Sequence, residues 1–324
     1  MHARRAHKCI CVAANTRKAV IALVLWITLG FAVACSPSSQ YKRVDLKAFE
    51  QPSPPPVAVQ QTTVPPLRVA VASMVSPKET FTAYQELIQY LGARMNRPVQ
   101  MVERKTYAEV NDLIQSGGID VAFVCSQSYV QGQQRFGLEL LAAPEVRGEA
   151  LYRAYIIVPV DSQVTQFDQL RGKVFAFTDP DSNTGRLVPT YLLWQKHESP
   201  EDFFRETVYT YSHDNSMKAV GNGLVDGASV DSLAYDYTVT KNRGLASRTR
   251  IIYQSDPFGS PPAAVPPGLP GELKRQLRET LLSMDSDYRG KTILASLMID
   301  RFVIPDQSTY EPIREMLRKV QDQR

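Results

Sequence analysis

The run Phe175-Ala176-Phe177-Thr178-Asp179-Pro180-Asp181-Ser182-Asn183-Thr184-Gly185-Arg186-Leu187-Val188-Pro189 changes character at its midpoint. Its apolar start reads as a strand that stops at a turn signal. Small hydrogen-bonding residues then open a helix carrying Leu187, Tyr191, Leu192 and Trp194. The first backbone N–H groups of a helix are unpaired and carry roughly +0.5 of a charge. Ser182, Asn183 and Thr184 at such a start make a socket for an anion, with Gly185 allowing close approach to the backbone. The plainer alternative is that Asp181 or Ser182 only caps a helix.

Two later segments favour the socket. Tyr211-Ser212-His213-Asp214-Asn215-Ser216 follows another strand-like run and opens another helix, supplying one well-placed histidine. Val225-Asp226-Gly227-Ala228-Ser229-Val230-Asp231-Ser232 returns as a short strand with polar residues at its end. Three successive strand ends thus present anion-competent groups, as at the carboxyl edge of an open α/β sheet. His213 is expected to donate a charge-assisted hydrogen bond to an oxyanion. Asp231, acceptor-only when ionised, favours a protonated oxygen.

These residues resemble the phosphonate, phosphite and phosphate-binding proteins of bacterial ABC importers. In that family an Asp-Pro-x-Ser-x-Ser/Thr-Gly-x-x-x-Pro motif holds the phosphoryl oxygens, and Asp179 to Pro189 follows it. The resemblance runs from about Leu67 to the C-terminus. It implies an α/β, two-lobed periplasmic binding protein of the type II clamshell kind, each lobe a mostly parallel sheet flanked by helices. It implies no enzymatic activity and no cofactor. It also places Tyr107 and Tyr152 at the ligand, ordinary core packing being the other reading of both. Relatives that grip an aminoalkyl phosphonate use an acid near the 255–262 turn. Here that turn reads Asp256-Pro257-Phe258-Gly259-Ser260, and a bare oxyanion is expected. Cys125, followed by Ser126, stands where related arsenite sensors carry a cysteine. It is either a ligand-site thiol or inert packing. The partners implied are a small oxyanion and an ABC importer permease, with a membrane sensor kinase as the alternative.

Outward from the motif, the chain alternates strand and helix. Leu67–Ala72 reads as a strand, and Phe81, Tyr84, Ile88, Leu91 and Met95 recur at helical spacing. Pro98–Val102 is a second strand, completing a βαβ unit. Thr106-Tyr107-Ala108-Glu109 is a capping box opening a helix that Gly117-Gly118 closes before a strand at Ile119–Val124. Cys125 to Tyr129 reads as the next loop. Leu138–Ala142 and Tyr152–Val160 read as strands, the second crossing into the other lobe, with a return near Ile251–Ser255. Pro261–Pro270 reads as a proline-rich turn. Three helices follow, marked by Leu273, Leu277 and Leu281, by Ile293, Leu294 and Leu297, and by Ile313, Met316 and Leu317. They are expected to pack mainly on the first lobe. The boundaries expected are residues 67–152 and 255–324 for that lobe and 153–254 for the other.

The N-terminus has a different composition. Arg4, Arg5, Lys8, Arg17 and Lys18 precede an apolar run of 16 residues, Ala19–Ala34, and Ala32-Val33-Ala34-Cys35 resembles a lipobox. A membrane span needs about 20 residues, so residues 1–34 read as a signal and Cys35 as a lipidation site, an uncleaved anchor being the alternative. Both export the rest. Residues 36–66 are rich in Pro, Gln, Ser and Thr and read as a tether reaching on the order of 90 Å at ~3.1 Å per residue. The formal charge of +4 comes mostly from the leader, leaving no basic excess for nucleic acid. Only Cys125 remains beyond Cys35, so no internal disulfide is expected. His197 and His213 have no partner at zinc-ligand spacing. No nucleophile elbow, P-loop or metal cluster is present in the sequence.

Overall fold

The computed structural model describes residues 64–72 and 77–321. The leader, Cys35 and the proline-rich stretch up to residue 63 lie outside that range. Among the described residues, no helix is long and apolar enough to cross a membrane.

Strand β1 (Leu67–Val71) turns Leu67, Val69 and Val71 to one core and Ala70 to another, the period of two expected of a strand covered on both faces. Helix α1 (Pro77–Arg94) leads to β2 (Val99–Val102), which pairs parallel to β1 with Leu67 opposite Val99. Helix α2 (Tyr107–Gln115) starts with the predicted capping box. The Thr106 hydroxyl accepts the Glu109 N–H, and the Glu109 carboxylate accepts the Thr106 N–H, each at 3.3 Å. Strand β3 (Val121–Phe123) pairs parallel on the other side of β1. Helix α3 (Ser126–Phe136) begins at once, so Cys125 to Tyr129 is a helix start rather than a loop. Gly137, at φ 77°, closes α3 before β4 (Glu139–Glu145).

Leu151–Tyr152 forms β5, and β6 (Ala154–Pro159) follows, so the predicted strand is broken at Arg153. There the Arg153 N–H donates to Ser232 Oγ at 2.9 Å instead of joining a ladder. Strand β6 enters a second sheet with β7 (Val174–Phe177), β8 (Glu206–Tyr209), β9 (Gly227–Asp231) and β10 (Thr249–Gln254), in the order β10-β6-β9-β7-β8. Only β6 runs against the rest of that sheet. The chain returns through β11 (Phe258–Gly259), which pairs antiparallel with β5, Tyr152 opposite Phe258.

The first sheet is then completed by a strand that the prolines disguise. Ala263–Val265 forms β12, antiparallel to β3 and β4 and wedged between them, with each of its residues fully buried. The expected turn is therefore a central strand flanked by turns. Pro261 and Pro262 precede the strand and Pro266 and Pro267 follow it, where they interrupt no ladder bond. With β13 (Arg301–Val303) on β4, the order is β13-β4-β12-β3-β1-β2. All strands but β12 and β13 run one way, the mostly parallel pattern of the expected clamshell.

Helices α4 (Val188–Trp194), α5 (His213–Gly221) and α6 (Ser232–Lys241) serve the second sheet. Its one face is a phenylalanine core in which Phe175 stacks on Phe204 at 4.4 Å. Helices α7 (Gly271–Leu282) and α8 (Tyr288–Ser296) bury Leu277, Leu281, Ile293 and Leu294 against β1 and α1, on the first lobe as predicted. Helix α9 (Glu311–Gln321) departs from that expectation. Its Ile313, Met316 and Leu317 share one core with Val110 and Tyr129 of the first lobe and Leu187 and Val188 of the second. The Lys319 ammonium also lies over the rings of Tyr191 and Trp194, 5.7 and 5.5 Å from their centroids.

Candidate functional site

Strand β7 ends at Phe177, and the chain turns into the helix through a single π-helical stretch, Asn183–Leu187, before α4. Pro189 explains the irregularity. It has no N–H to return to the Gly185 carbonyl, and that carbonyl accepts the Thr178 N–H at 3.3 Å. The ladder slips by one, the Val188 N–H reaching the Asn183 carbonyl. Ser182 is the N-cap, its hydroxyl accepting the Gly185 N–H at 2.9 Å, and Asp181 is not. Asn183 and Thr184 are buried. The amide oxygen of the first and the hydroxyl of the second have no hydrogen-bond partner in the protein. Gly185 plays a different part from the one expected. Its Cα abuts the Thr178 side chain, so the absence of a Cβ lets helix and strand meet rather than admitting a ligand.

The two neighbouring strand ends meet this turn. Ser229 of β9 donates its hydroxyl proton to the Thr184 carbonyl. His213 is the first residue of α5 and is buried, and its Nδ1 accepts the Asp231 N–H at 3.0 Å. That bond fixes the tautomer: Nε2 carries the proton and is the donor. Burial pushes the imidazole down to about 3, against a weaker upward pull from Asp214. His213 is therefore a neutral donor, and the expected charge assistance is absent. Asp231, at the end of β9, accepts the Leu233 and Ala234 N–H groups on Oδ1 at 2.7 and 3.0 Å. Burial pushes its carboxyl up to about 7 even against those two bonds. Near neutral pH it both donates and accepts.

From the first lobe, α3 points its N-terminus at the same place. Cys125 is the N-cap residue and is buried. Its sulfur faces the N–H groups of Gln127 and Ser128 and, across the cleft, of Asn183. Burial outweighs these donors and pushes the thiol up to about 12, so it is protonated. Tyr107 packs against Cys125 and Ala72, with its hydroxyl buried and without a protein partner. The Ser126 hydroxyl is committed to the Gly259 carbonyl at 2.7 Å.

Four contacts tie the 105–152 stretch to the 179–183 turn and to Tyr211, the first of them between two predicted site residues. Asn183 Nδ2 donates to the Tyr152 hydroxyl at 2.9 Å. The Tyr107 N–H donates to Asp179 Oδ2 at 3.2 Å, and Gln131 Nε2 to Asp181 Oδ1 at 3.0 Å. The Lys105 ammonium sits over the Tyr211 ring, 4.6 Å from its centroid. Tyr152→Phe removes the acceptor of a buried amide donor. It is expected to cost about 1–3 kcal/mol of stability in denaturant unfolding. An unchanged midpoint would show that the Asn183 bond contributes nothing.

The structure thus gathers Ser182, Asn183, Thr184, His213, Asp231, Tyr107, Tyr152, Cys125 and Ser126 into one buried polar cluster. Sequence reading missed Ser128, whose buried hydroxyl has no protein partner, and Asp179, which receives the Tyr107 N–H. The signal for Ser128 was present: Ser-Gln-Ser after a strand is a helix opening. Nothing local signals the reach of Asp179 across the cleft. The groups left open are the hydroxyls of Tyr107, Ser128 and Thr184, the Nε2–H of a neutral imidazole and one amide oxygen, a set able to hydrogen-bond a small anion that carries a protonated oxygen.

Residues 69–310 match the family described as ABC transporter, phosphonate, periplasmic substrate-binding protein. The chain is 24% identical over 220 residues to a phosphate-import protein of Mycolicibacterium smegmatis, covering 64% of this chain and 68% of that one. It is 22% identical over 254 residues to the phosphonates-binding periplasmic protein of Escherichia coli, covering 76% and 74%. Among solved structures, a binding-protein component of an ABC phosphonate transporter from Pseudomonas aeruginosa superposes with a TM-score of 0.74 at 21% identity, covering 79% of this chain and 87% of that one. At that identity the superposition shows the fold. Such proteins bind and deliver; they are not enzymes. The chain belongs to the periplasmic substrate-binding proteins of the phosphonate ABC-transporter family.

Proposed function

We propose that this protein captures a phosphorus oxyanion, whether phosphate, phosphite or a phosphonate, between its two lobes and presents it to an ABC importer while held at the membrane by lipid on Cys35. In this reading residues 67–152 and 255–324 make one jaw and 153–254 the other. Thr184, Ser128, Tyr107 and the Nε2–H of His213 donate to the oxygens, and Asn183 Oδ1 accepts from a protonated one. Asp231 takes the proton of a singly protonated ligand. The observation that carries the reading is the set of buried polar atoms on both lobes that have no partner in the protein: Tyr107 Oη and Ser128 Oγ on one, Asn183 Oδ1 and Thr184 Oγ1 on the other. Buried polar atoms are normally paired, and four in one cluster mark a place built for something polar.

Cys125 is assigned the start of α3 rather than metalloid ligation. A thiol pushed up to about 12 is a poor source of thiolate, which leaves the arsenite-sensor alternative without a supporting observation. Titration calorimetry with phosphate, phosphite, methylphosphonate, sulfate and arsenite tests the reading. A phosphorus oxyanion should bind and the others should not. Thr184→Val should weaken that binding about tenfold, the loss of one hydrogen bond to a charged group. Heats from arsenite alone, or no change in Thr184→Val, would overturn it.

A further inference from the structure

An apolar cavity opens beside the polar cluster. It encloses about 100 Å³ and is walled by Phe123, Val146, Leu297, Ile299 and Phe302 from the first lobe and Leu233 from the second. Two residues join it to the polar site. Ala72 lines the cavity and packs on Tyr107 and Cys125, and Asp231 stands at the boundary of both. Asp231 and Ala72 thus set the polar residues side by side with an apolar space.

The charged groups of the lining narrow the choice of occupant. Asp236 is ion-paired with Arg147 at 2.9 Å, and Asp231 Oδ1 is committed to the Leu233 and Ala234 N–H groups. An ammonium in the cavity would find Asp236 already paired and only Asp231 Oδ2 open, the oxygen that the ligand's own proton takes in the reading above. A hydrocarbon group meets neither obstacle. An apolar cavity of about 150 Å³ is known to take benzene, so this one suits two to four carbons.

Resting on the phosphorus-oxyanion reading above, we propose that this cavity receives the carbon substituent of the ligand, and that the preferred ligands are phosphonates with a short uncharged alkyl group, ethyl to butyl. The walls come from both lobes, so burying the alkyl chain also favours the shut arrangement.

Calorimetry of the full chain against phosphate and methyl-, ethyl-, propyl-, butyl- and 2-aminoethylphosphonate tests this. Affinity should rise about fourfold per methylene from methyl to butyl, the usual gain for burying a CH₂ group. The aminoethyl compound should bind at least tenfold more weakly than propylphosphonate, which has a similar size. Ala83→Leu and Val146→Phe, which fill the cavity from two walls, should abolish the chain-length gain while phosphate affinity stays within a factor of two. A flat series, a preference for the aminoethyl compound, or an unchanged series in both filled variants would overturn the alkyl proposal. Bare oxyanion binding with a flat series leaves the phosphorus reading standing, whereas silence towards every compound removes both.

Discussion

Gly185→Ala is expected to destabilise the protein by about 3 kcal/mol, the upper end of what overpacking a tight core costs. The added Cβ would fall within the Thr178 hydroxyl, 2.7 Å from Thr178 Cβ and 2.9 Å from Ser182 Oγ. Neither neighbour has room to yield. Thr178 is held through its backbone, its N–H on the Gly185 carbonyl and its carbonyl accepting the Tyr211 N–H at 2.7 Å. Ser182 is fully buried and caps the turn. Relief therefore comes only by moving the 183–187 turn away from β7, which carries Asn183 and Thr184 out of the cleft. Denaturant unfolding and phosphate or phosphonate titration should both register the change. Thr178→Gly removes the obstructing side chain, so the Gly185→Ala, Thr178→Gly pair should regain most of the lost binding. If the single substitution leaves stability within 0.5 kcal/mol, roughly the scatter of a neutral surface change, the close approach of helix and strand is not what Gly185 is for.

The motif around Gly185 also shows what sequence reveals of such a protein. Local signals were legible: the Thr106 capping box, the β1 alternation and the polar helix openings at Ser182 and Ser212 each depend on residues a few positions apart. Strand β12 was hidden because three small residues on a covered strand show no alternation, and the prolines around them outweigh so short a run. The opening of α3 was hidden because Gln127, Gln131, Gly132 and Gln133 give it a weak apolar stripe. The site itself was legible as residue types and not as geometry. Nothing near residue 107 or 179 reveals that a backbone N–H of one lobe meets a carboxylate of the other. The tautomer of His213 likewise depends on an Asp231 N–H eighteen positions away.

Asp231→Asn is expected to make the protein more stable, by about 3 kcal/mol at pH 6 and by only about 0.5 kcal/mol at pH 4. Burial holds the Asp231 carboxyl up to about 7, from an ordinary 3.8. Between those values the unfolded chain gives up a proton that the folded chain keeps, so the wild type loses about 1.4 kcal/mol for each pH unit climbed. Asparagine has no proton to lose and still accepts the Leu233 and Ala234 N–H groups, as a good N-cap residue does. Asp179, raised to about 6, adds a loss of the same sign as pH rises. His213, lowered to about 3 from 6.5, contributes in the opposite sense: its stabilisation is complete above 6.5 and is lost as pH falls. These two act alike in wild type and variant, so the difference between their unfolding free energies at pH 4, 5 and 6 isolates Asp231. Parallel curves would mean that Asp231 ionises as an ordinary carboxyl. A buried carboxylate that costs stability is informative about the ligand. A phosphorus oxyanion with one protonated oxygen can donate to the ionised Asp231 and recover part of that cost only while bound. Asp231→Asn should therefore weaken binding of the singly protonated ligand while it raises stability, a combination that a merely structural carboxyl would not produce.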